Sequence, residues 1–185
     1  MPSPVMRRFI DRMTLLADRI TPPDQLAMAA GTNLEAMLGM DNVLAASERE
    51  PAADHYRQHV LHIDPHGRFS VVALVWLPGH ETPIHDHIAW CVAGVLTGRE
   101  REHRYERLTT PGERGLLRAE GTVLNEVGEV SVLAEGPDIH QVTCASGDKT
   151  ISIHVYGADI TSRGTSIQLT YDPGLVQPAM ALPRL

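Results

Sequence analysis

The sequence predicts one mostly β domain, an antiparallel sandwich or barrel with a short helical segment at its front. Three observations predict it. A chain of 185 residues fits a single domain with enough length to bury a sizeable core. From Pro51 onward the chain breaks into short runs rich in β-branched residues. Glycine- and proline-bearing turns separate those runs at close spacing, as in sandwiches and barrels.

The first fifty residues read as helical. Phe9, Ile10, Met13, Leu15, Leu16 and Ile20 fall near a helical period, and Thr21-Pro22-Pro23 ends that segment. A second helix starts after Pro23 with Asp24 and runs through Leu26, Met28 and Ala30 to Gly31. A third covers Leu34 to Leu38, capped by Thr32 or Asn33. This segment, residues 1–50, is too small for an independent domain and is expected to pack on the outside of a barrel spanning 51–172. The predicted strands are Val60–Ile63, Phe69–Leu77, Trp90–Leu96, Thr122–Asn125, Val130–Leu133, Ile139–Thr143, Thr150–Tyr156 and Ile167–Tyr171. Their turns include Asp64-Pro65-His66-Gly67, Leu77-Pro78-Gly79, Thr110-Pro111-Gly112 and Ser146-Gly147-Asp148. The tail from Pro173 to Leu185 is expected to lie extended over the surface or at an oligomer contact.

Composition removes several classes of function. Net charge is −7 with neutral histidines and the basic residues are scattered, so neither nucleic acid nor an anionic membrane is an expected partner. The apolar run Val71–Leu77 is far too short to span a bilayer. The N-terminus, with Arg7, Arg8, Asp11, Arg12 and Asp18, lacks the apolar core of a secretory signal, and a soluble cytoplasmic protein is expected, monomeric or a small homo-oligomer. Two cysteines, Cys91 and Cys144, make neither a disulfide framework nor a four-cysteine zinc site, and a bridge between them is disfavoured in a reducing cytosol.

Ten histidines invite a search for metal spacing. The informative stretch is Gly79-His-Glu-Thr-Pro-Ile-His85-Asp86-His87-Ile-Ala-Trp-Cys91, closing at Gly98. On a strand His85 and His87 share a face, so both imidazoles reach one ion. A second stretch, Glu135-Gly136-Pro137-Asp138-Ile139-His140, offers a third imidazole after a turn. Two surface histidines on a strand are the bland alternative; the flanking Gly79, Pro83 and Gly98 and the later turn-plus-histidine weigh against it. The pattern resembles the two motifs of the cupins, which implies a double-stranded β-helix (jelly-roll) barrel. It departs where many cupins carry a metal-binding glutamate, because this chain has Cys91. A neutral three-histidine site with open positions remains, suited to Fe(II) among several metals. Spacing alone does not choose iron over zinc, nickel or manganese.

The segments Pro83-Ile84-His85-Asp86-His87 and Ser152-Ile153-His154-Val155-Tyr156 resemble those of the cysteine dioxygenase family and its bacterial relatives acting on 3-mercaptopropionate. The resemblance spans roughly Tyr56 to Tyr156. It implies one Fe(2+) per chain on His85, His87 and His140, with a small thiol and O2 as substrates and a sulfinate as product. It also implies a hydrogen-bond relay of Ser152, His154 and Tyr156, whose alternation puts them on one face. A buried, satisfied polar row is the bland reading of those three.

Substrate choice depends on the carboxylate grip. Cysteine-selective members carry arginine two residues after a tyrosine on the barrel's first strand; here Tyr56 is followed by Arg57 and then Gln58. Glutamine is similar to the 3-mercaptopropionate relatives, which hold the carboxylate with an arginine placed after the relay strand. Arg163 is the residue expected there, with Arg57 the alternative if the register differs by one. Cys91 lies at or next to the cysteine that mammalian-type members link to the relay tyrosine, so a Cys91–Tyr156 thioether is expected. Cys144, four residues after His140, is expected to pack in the core. His55, His59, His62 and His66 are expected at the surface, His80 and His103 have no partner by spacing, and Trp76 and Trp90 fit core or pocket wall equally. The reading is a 3-mercaptopropionate-type thiol dioxygenase, with L-cysteine as the alternative substrate. A non-redox metal-dependent cupin and a metal-binding module are the alternatives of other classes, neither of which needs the relay.

Overall fold

The computed structural model describes residues 2–109, 115–134 and 138–179. The turn at Thr110-Pro111-Gly112, the turn at Glu135-Gly136-Pro137 and the last residues of the tail lie outside them. Two helices come first, α1 (Pro4–Arg19) and α2 (Pro23–Leu38). Ser3 starts α1: its hydroxyl accepts from the Met6 N–H, satisfying one of the free donors of the first turn. Met6, Phe9, Ile10 and Met13 form its buried stripe.

The expected second and third helices are one. Gly31 does not end α2; it lets the helix lie against the sheet, where a Cβ would come within 2.8 Å of Val132 Cγ2. The glycine serves close packing rather than termination. Gly94 does the same from the sheet side, under Leu38 and Leu34.

The strands are β1 (Arg57–Ile63), β2 (Ser70–Trp76), β3 (Ile84–His87), β4 (Cys91–Thr97), β5 (Glu100–Arg107), β6 (Leu117–Asn125), β7 (Val130–Leu133), β8 (Ile139–Cys144), β9 (Thr150–Tyr156), β10 (Ile167–Tyr171) and β11 (Val176–Gln177). A four-residue helix α3 (Ile160–Arg163) lies between β9 and β10. The strands form a five-stranded sheet in the order β1-β2-β9-β4-β7 and a six-stranded sheet in the order β10-β3-β8-β5-β6-β11. This is the cupin, or double-stranded β-helix, architecture. Sequence reading overlooked β5, whose Glu-Arg-Glu-His-Arg-Tyr-Glu-Arg run has no apolar alternation. Part of the tail is also not merely extended: β11 pairs in parallel with β6.

Two cores divide the residues of the central strands by parity. Val71, Ala73, Val75, Ile151, Ile153 and Val155 face α1 and α2. Val72, Leu74 and Trp76, with Cys91, Val142, Tyr156 and Ile160, face inward between the sheets. Because β2 and β9 are buried on both faces, their hydrophobic runs are continuous, and the side chains of Ser152, His154 and Tyr156 are carried together into the interior.

Candidate functional site

His85, His87 and His140 converge. Each offers a ring nitrogen, and these atoms lie within 4.8 Å of one another on buried side chains. Ring centroids are 4.7 to 4.9 Å apart. Among the described residues it is the one group of three or more histidine, cysteine or acidic side chains so placed. The strands explain the tripod: β3 supplies His85 and His87 on one face, and His140 on β8 stands directly opposite His85 in the antiparallel ladder.

The remaining ring nitrogens are all engaged. His85 Nδ1 donates to the Pro83 carbonyl at 2.9 Å, His140 Nδ1 to Glu102 Oε1 at 2.9 Å, and His87 Nδ1 to Asp138 Oδ2 at 3.4 Å. Acceptors on every Nδ1 leave the Nε2 lone pairs for a metal. His140 Nε2 is buried and has no hydrogen-bond partner. An orphaned acceptor facing two other imidazoles costs free energy unless a cation sits among them, so the residues present fit a metal ion.

Electrostatics keep His85 and His87 neutral. Burial, then the neighbouring His140 and His87, holds His85 down at about 3, and burial lowers His87 as well. Burial works against ionisation of Glu102, but hydrogen bonds from His140 and Arg104 outweigh it and hold the carboxyl at about 2. A permanent carboxylate thus orients His140. Sequence reasoning missed Glu102 because it lies in a strand that reads as charged throughout; its signal is the Glu100-x-Glu102 alternation.

The relay residues form a connected row. Ser152 Oγ is 2.9 Å from His154 Nε2, and His154 Nδ1 is 3.4 Å from the Tyr156 hydroxyl. Trp76 Nε1–H donates to Ser152 Oγ at 3.1 Å, a contact that decides between core and pocket wall: Trp76 belongs to both. The Tyr156 ring sits 5.7 Å from that of His87, next to the tripod. Burial, then His87 and His140, holds His154 at about 3, while burial and Cys91 push the Tyr156 hydroxyl well up.

One pocket of about 30 Å³ joins these parts, lined by the three imidazoles, His154, Tyr156, Tyr56, Gln58, Trp76, Thr82 and Ser166 among others. Gln58 and Tyr56 both line this pocket. Arg163 does not line the pocket. It is exposed at the end of α3, three residues before Ser166, and Arg57 is exposed on β1.

Other residues resolve into structural roles. Cys91 is buried, opposite Tyr156 in the β4–β9 ladder, and both cysteines are free. Cys144 is partly buried near the 146–150 turn and joins no metal cluster. His59 contacts the Glu50 carbonyl, His62 packs on Phe69, and His103 contacts Thr122, so the 55–66 histidines do not converge. His80 is buried after all: its Nδ1 accepts from Leu77 N–H and its Nε2 donates to the Ala53 carbonyl, pinning the Leu77-Pro78-Gly79 turn. Asp86, between the two β3 ligands but on the opposite face, accepts from Leu169 N–H and Tyr171 OH and fastens β10 to β3.

No helix of the described residues is long and apolar enough to cross a membrane. Among solved structures, the chain is similar to a Klebsiella pneumoniae protein with a double-stranded β-helix domain (15% identity, 71% of this chain and 93% of that one, TM-score 0.49). It is also similar to a cupin 2 conserved barrel domain protein from Salinispora arenicola (16%, 74% and 92%, 0.45) and a cupin superfamily protein from Desulfitobacterium hafniense (9%, 65% and 94%, 0.47). Likenesses at this level carry nothing about activity. The family model described as cysteine dioxygenase type I is a different order of finding, for it matches residues 42–162, a span holding the tripod and the relay alike. By that match the chain belongs to the cysteine dioxygenase type I family, whose activity is that of a thiol dioxygenase.

Proposed function

We propose that this protein is an iron-dependent thiol dioxygenase that converts a small mercaptocarboxylate, 3-mercaptopropionate first, into its sulfinate. The observation that carries the reading is the pairing of a carboxylate-free tripod, His85, His87 and His140, with Tyr156 in one pocket. Ferrous iron held by the three Nε2 atoms supplies the redox chemistry by which both atoms of O2 add to a thiolate sulfur. The chain's own part is positioning. Three neutral imidazoles leave room beside them for a thiolate and O2. Tyr156, held through His154 and Ser152, aims a hydroxyl at the reacting atoms, where it orients them and donates a hydrogen bond. Trp76, Leu74 and Val142 exclude water.

Gln58 lines the pocket and meets the thiol's distal end, and the carboxylate is assigned to Arg163, which lies three residues before the lining residue Ser166. L-cysteine is the second reading, favoured by Cys91 beside Tyr156. Oxygen uptake by the iron-loaded protein, compared across 3-mercaptopropionate, L-cysteine, cysteamine and mercaptosuccinate, tests both. Fastest uptake with 3-mercaptopropionate supports the proposal; preference for L-cysteine moves it to the second reading. No uptake with any thiol moves it to a non-redox cupin or binding module.

A further inference from the structure

Thr82 lines the cavity shared by the three imidazoles and Tyr156, and nothing said so far gives it a task. It closes the loop from β2 into β3, three residues before His85, and is 6% exposed. Its backbone is spent on β8. The N–H donates to the Val142 carbonyl at 2.9 Å, and the carbonyl accepts from Gln141 Nε2 at 3.1 Å. The side-chain oxygen is engaged there too, accepting from the Val142 N–H at 3.0 Å. Val142 follows the ligand His140 by two residues on β8, and both are buried on its inward face. Thr82 is thus fixed to both ligand-bearing segments, to β3 by the chain and to β8 by these bonds.

One group is left over. A threonine hydroxyl offers one hydrogen and accepts two. The Val142 N–H can only donate, so the Thr82 oxygen is the acceptor of that bond. Its own hydrogen finds no acceptor among the described residues. A buried donor without a partner costs free energy, a cost offset when a molecule in the cavity presents an acceptor. Position decides which acceptor. Gln58 is exposed and Tyr56 half-buried, so they mark the mouth, where the distal end of a mercaptocarboxylate lies. Thr82, Leu74 and Val142 are buried with the tripod and mark the inner end. The anionic atom that such a molecule brings to the inner end is its sulfur.

We propose that the Thr82 hydroxyl is a further hydrogen-bond donor of this pocket, directed at the thiolate sulfur of the substrate. The proposal deepens the thiol dioxygenase reading and rests on it for the ligand. A donor already fixed to both ligand strands needs no reorganisation when the thiolate arrives. The test reads binding without turnover, using the full chain loaded with Co2+ under argon and titrated with 3-mercaptopropionate. Thr82→Val keeps the shape and removes the hydroxyl. Its dissociation constant for the thiol rises about tenfold, the scale of one charge-assisted hydrogen bond. Its sulfur-to-metal absorption band moves to longer wavelength, while the cobalt spectrum before thiol addition stays as in the native chain. The cobalt–sulfur stretching frequency shifts in D2O in the native chain, and that shift shrinks in Thr82→Val. Thr82→Ser restores all three readouts. Thr82→Ala, which leaves the Val142 N–H open to water, takes the place of valine if that chain does not fold. A band and a D2O shift that are the same with and without the hydroxyl overturn the proposal. Weaker binding with an unmoved band overturns it too, for Thr82 then only caps the Val142 N–H. If the spectra change as described but the iron-loaded chain oxidises no thiol, the functional reading fails and the role of Thr82 stands.

Discussion

Cys91 and Tyr156 stand directly opposite each other in the β4–β9 ladder, and both address one atom. His154 Nδ1 lies 3.4 Å from the Tyr156 hydroxyl and 3.9 Å from Cys91 Sγ. Cross-strand partners share a face, so sulfur and phenol are held side by side in the dry interior. We expect aerobic turnover of the iron-loaded protein to join them as a thioether. The intact mass then falls by two hydrogens in the native chain and not in Cys91→Ala; an unchanged mass after turnover contradicts the cross-link.

Glu102 holds His140, and removing its charge should loosen the metal. Glu102→Gln is expected to weaken iron and zinc binding about 10- to 100-fold, the usual effect of losing a ligand's hydrogen-bond partner. Titration with zinc in competition with a chelator measures it. Wild-type affinity in the variant would show that the Glu102–His140 bond does not tune the site.

Two buried groups pull the stability of the metal-free chain in opposite directions with pH. His154 has a folded value held down at about 3, so its contribution is present above its ordinary value of 6.5 and is lost as pH falls from there towards 3. Glu100 has a folded value raised to about 7, so its contribution is present below its ordinary value of 4.5 and is lost as pH rises from there to 7. Glu100→Gln should therefore raise Tm at pH 8 relative to the native chain and leave it nearly unchanged at pH 4.5. Thermal unfolding at the two pH values checks the sign.

Gly98 is required where it stands. Its φ of 78° is left-handed, and a Cβ would fall 2.3 Å from Thr150 Oγ1 and 2.9 Å from the Thr150 Cα. Gly98→Ala should destabilise by about 1–3 kcal/mol through strain and overpacking. Chemical denaturation measures the loss, and a change below about 0.5 kcal/mol would mean that the turn repacks freely.

Arg163→Ala separates the carboxylate grip from the metal site. The Michaelis constant for 3-mercaptopropionate should rise about tenfold or more, the scale of one charge-assisted contact, with iron content unchanged. Steady-state kinetics decide it, and an unchanged constant removes Arg163 from substrate binding.

The sequence made legible those parts whose chemistry is local. His-x-His on a short strand, and serine, histidine and tyrosine at alternate positions of a second, need only the period of a strand to share a face. The partners that tune them were illegible because they come from elsewhere. Glu102 arrives on β5 by strand order, and the Trp76 contact to Ser152 bridges β2 and β9. Gly31 misled because a helix-ending glycine and a helix-packing glycine look alike until Val132 is known to lie across from it. Arg163 shows the converse: its place after the relay strand was readable, but at the end of the short α3 it is exposed and does not line the pocket.

The most direct test of the central claim is to supply the iron-loaded protein with 3-mercaptopropionate under oxygen-18 gas and weigh the product. A thiol dioxygenase gives a sulfinate carrying two heavy oxygens, formed mole for mole with the O2 consumed and lost with His85→Ala. A sulfinate with one heavy oxygen, a disulfide, or no thiol-dependent uptake despite bound iron would contradict it.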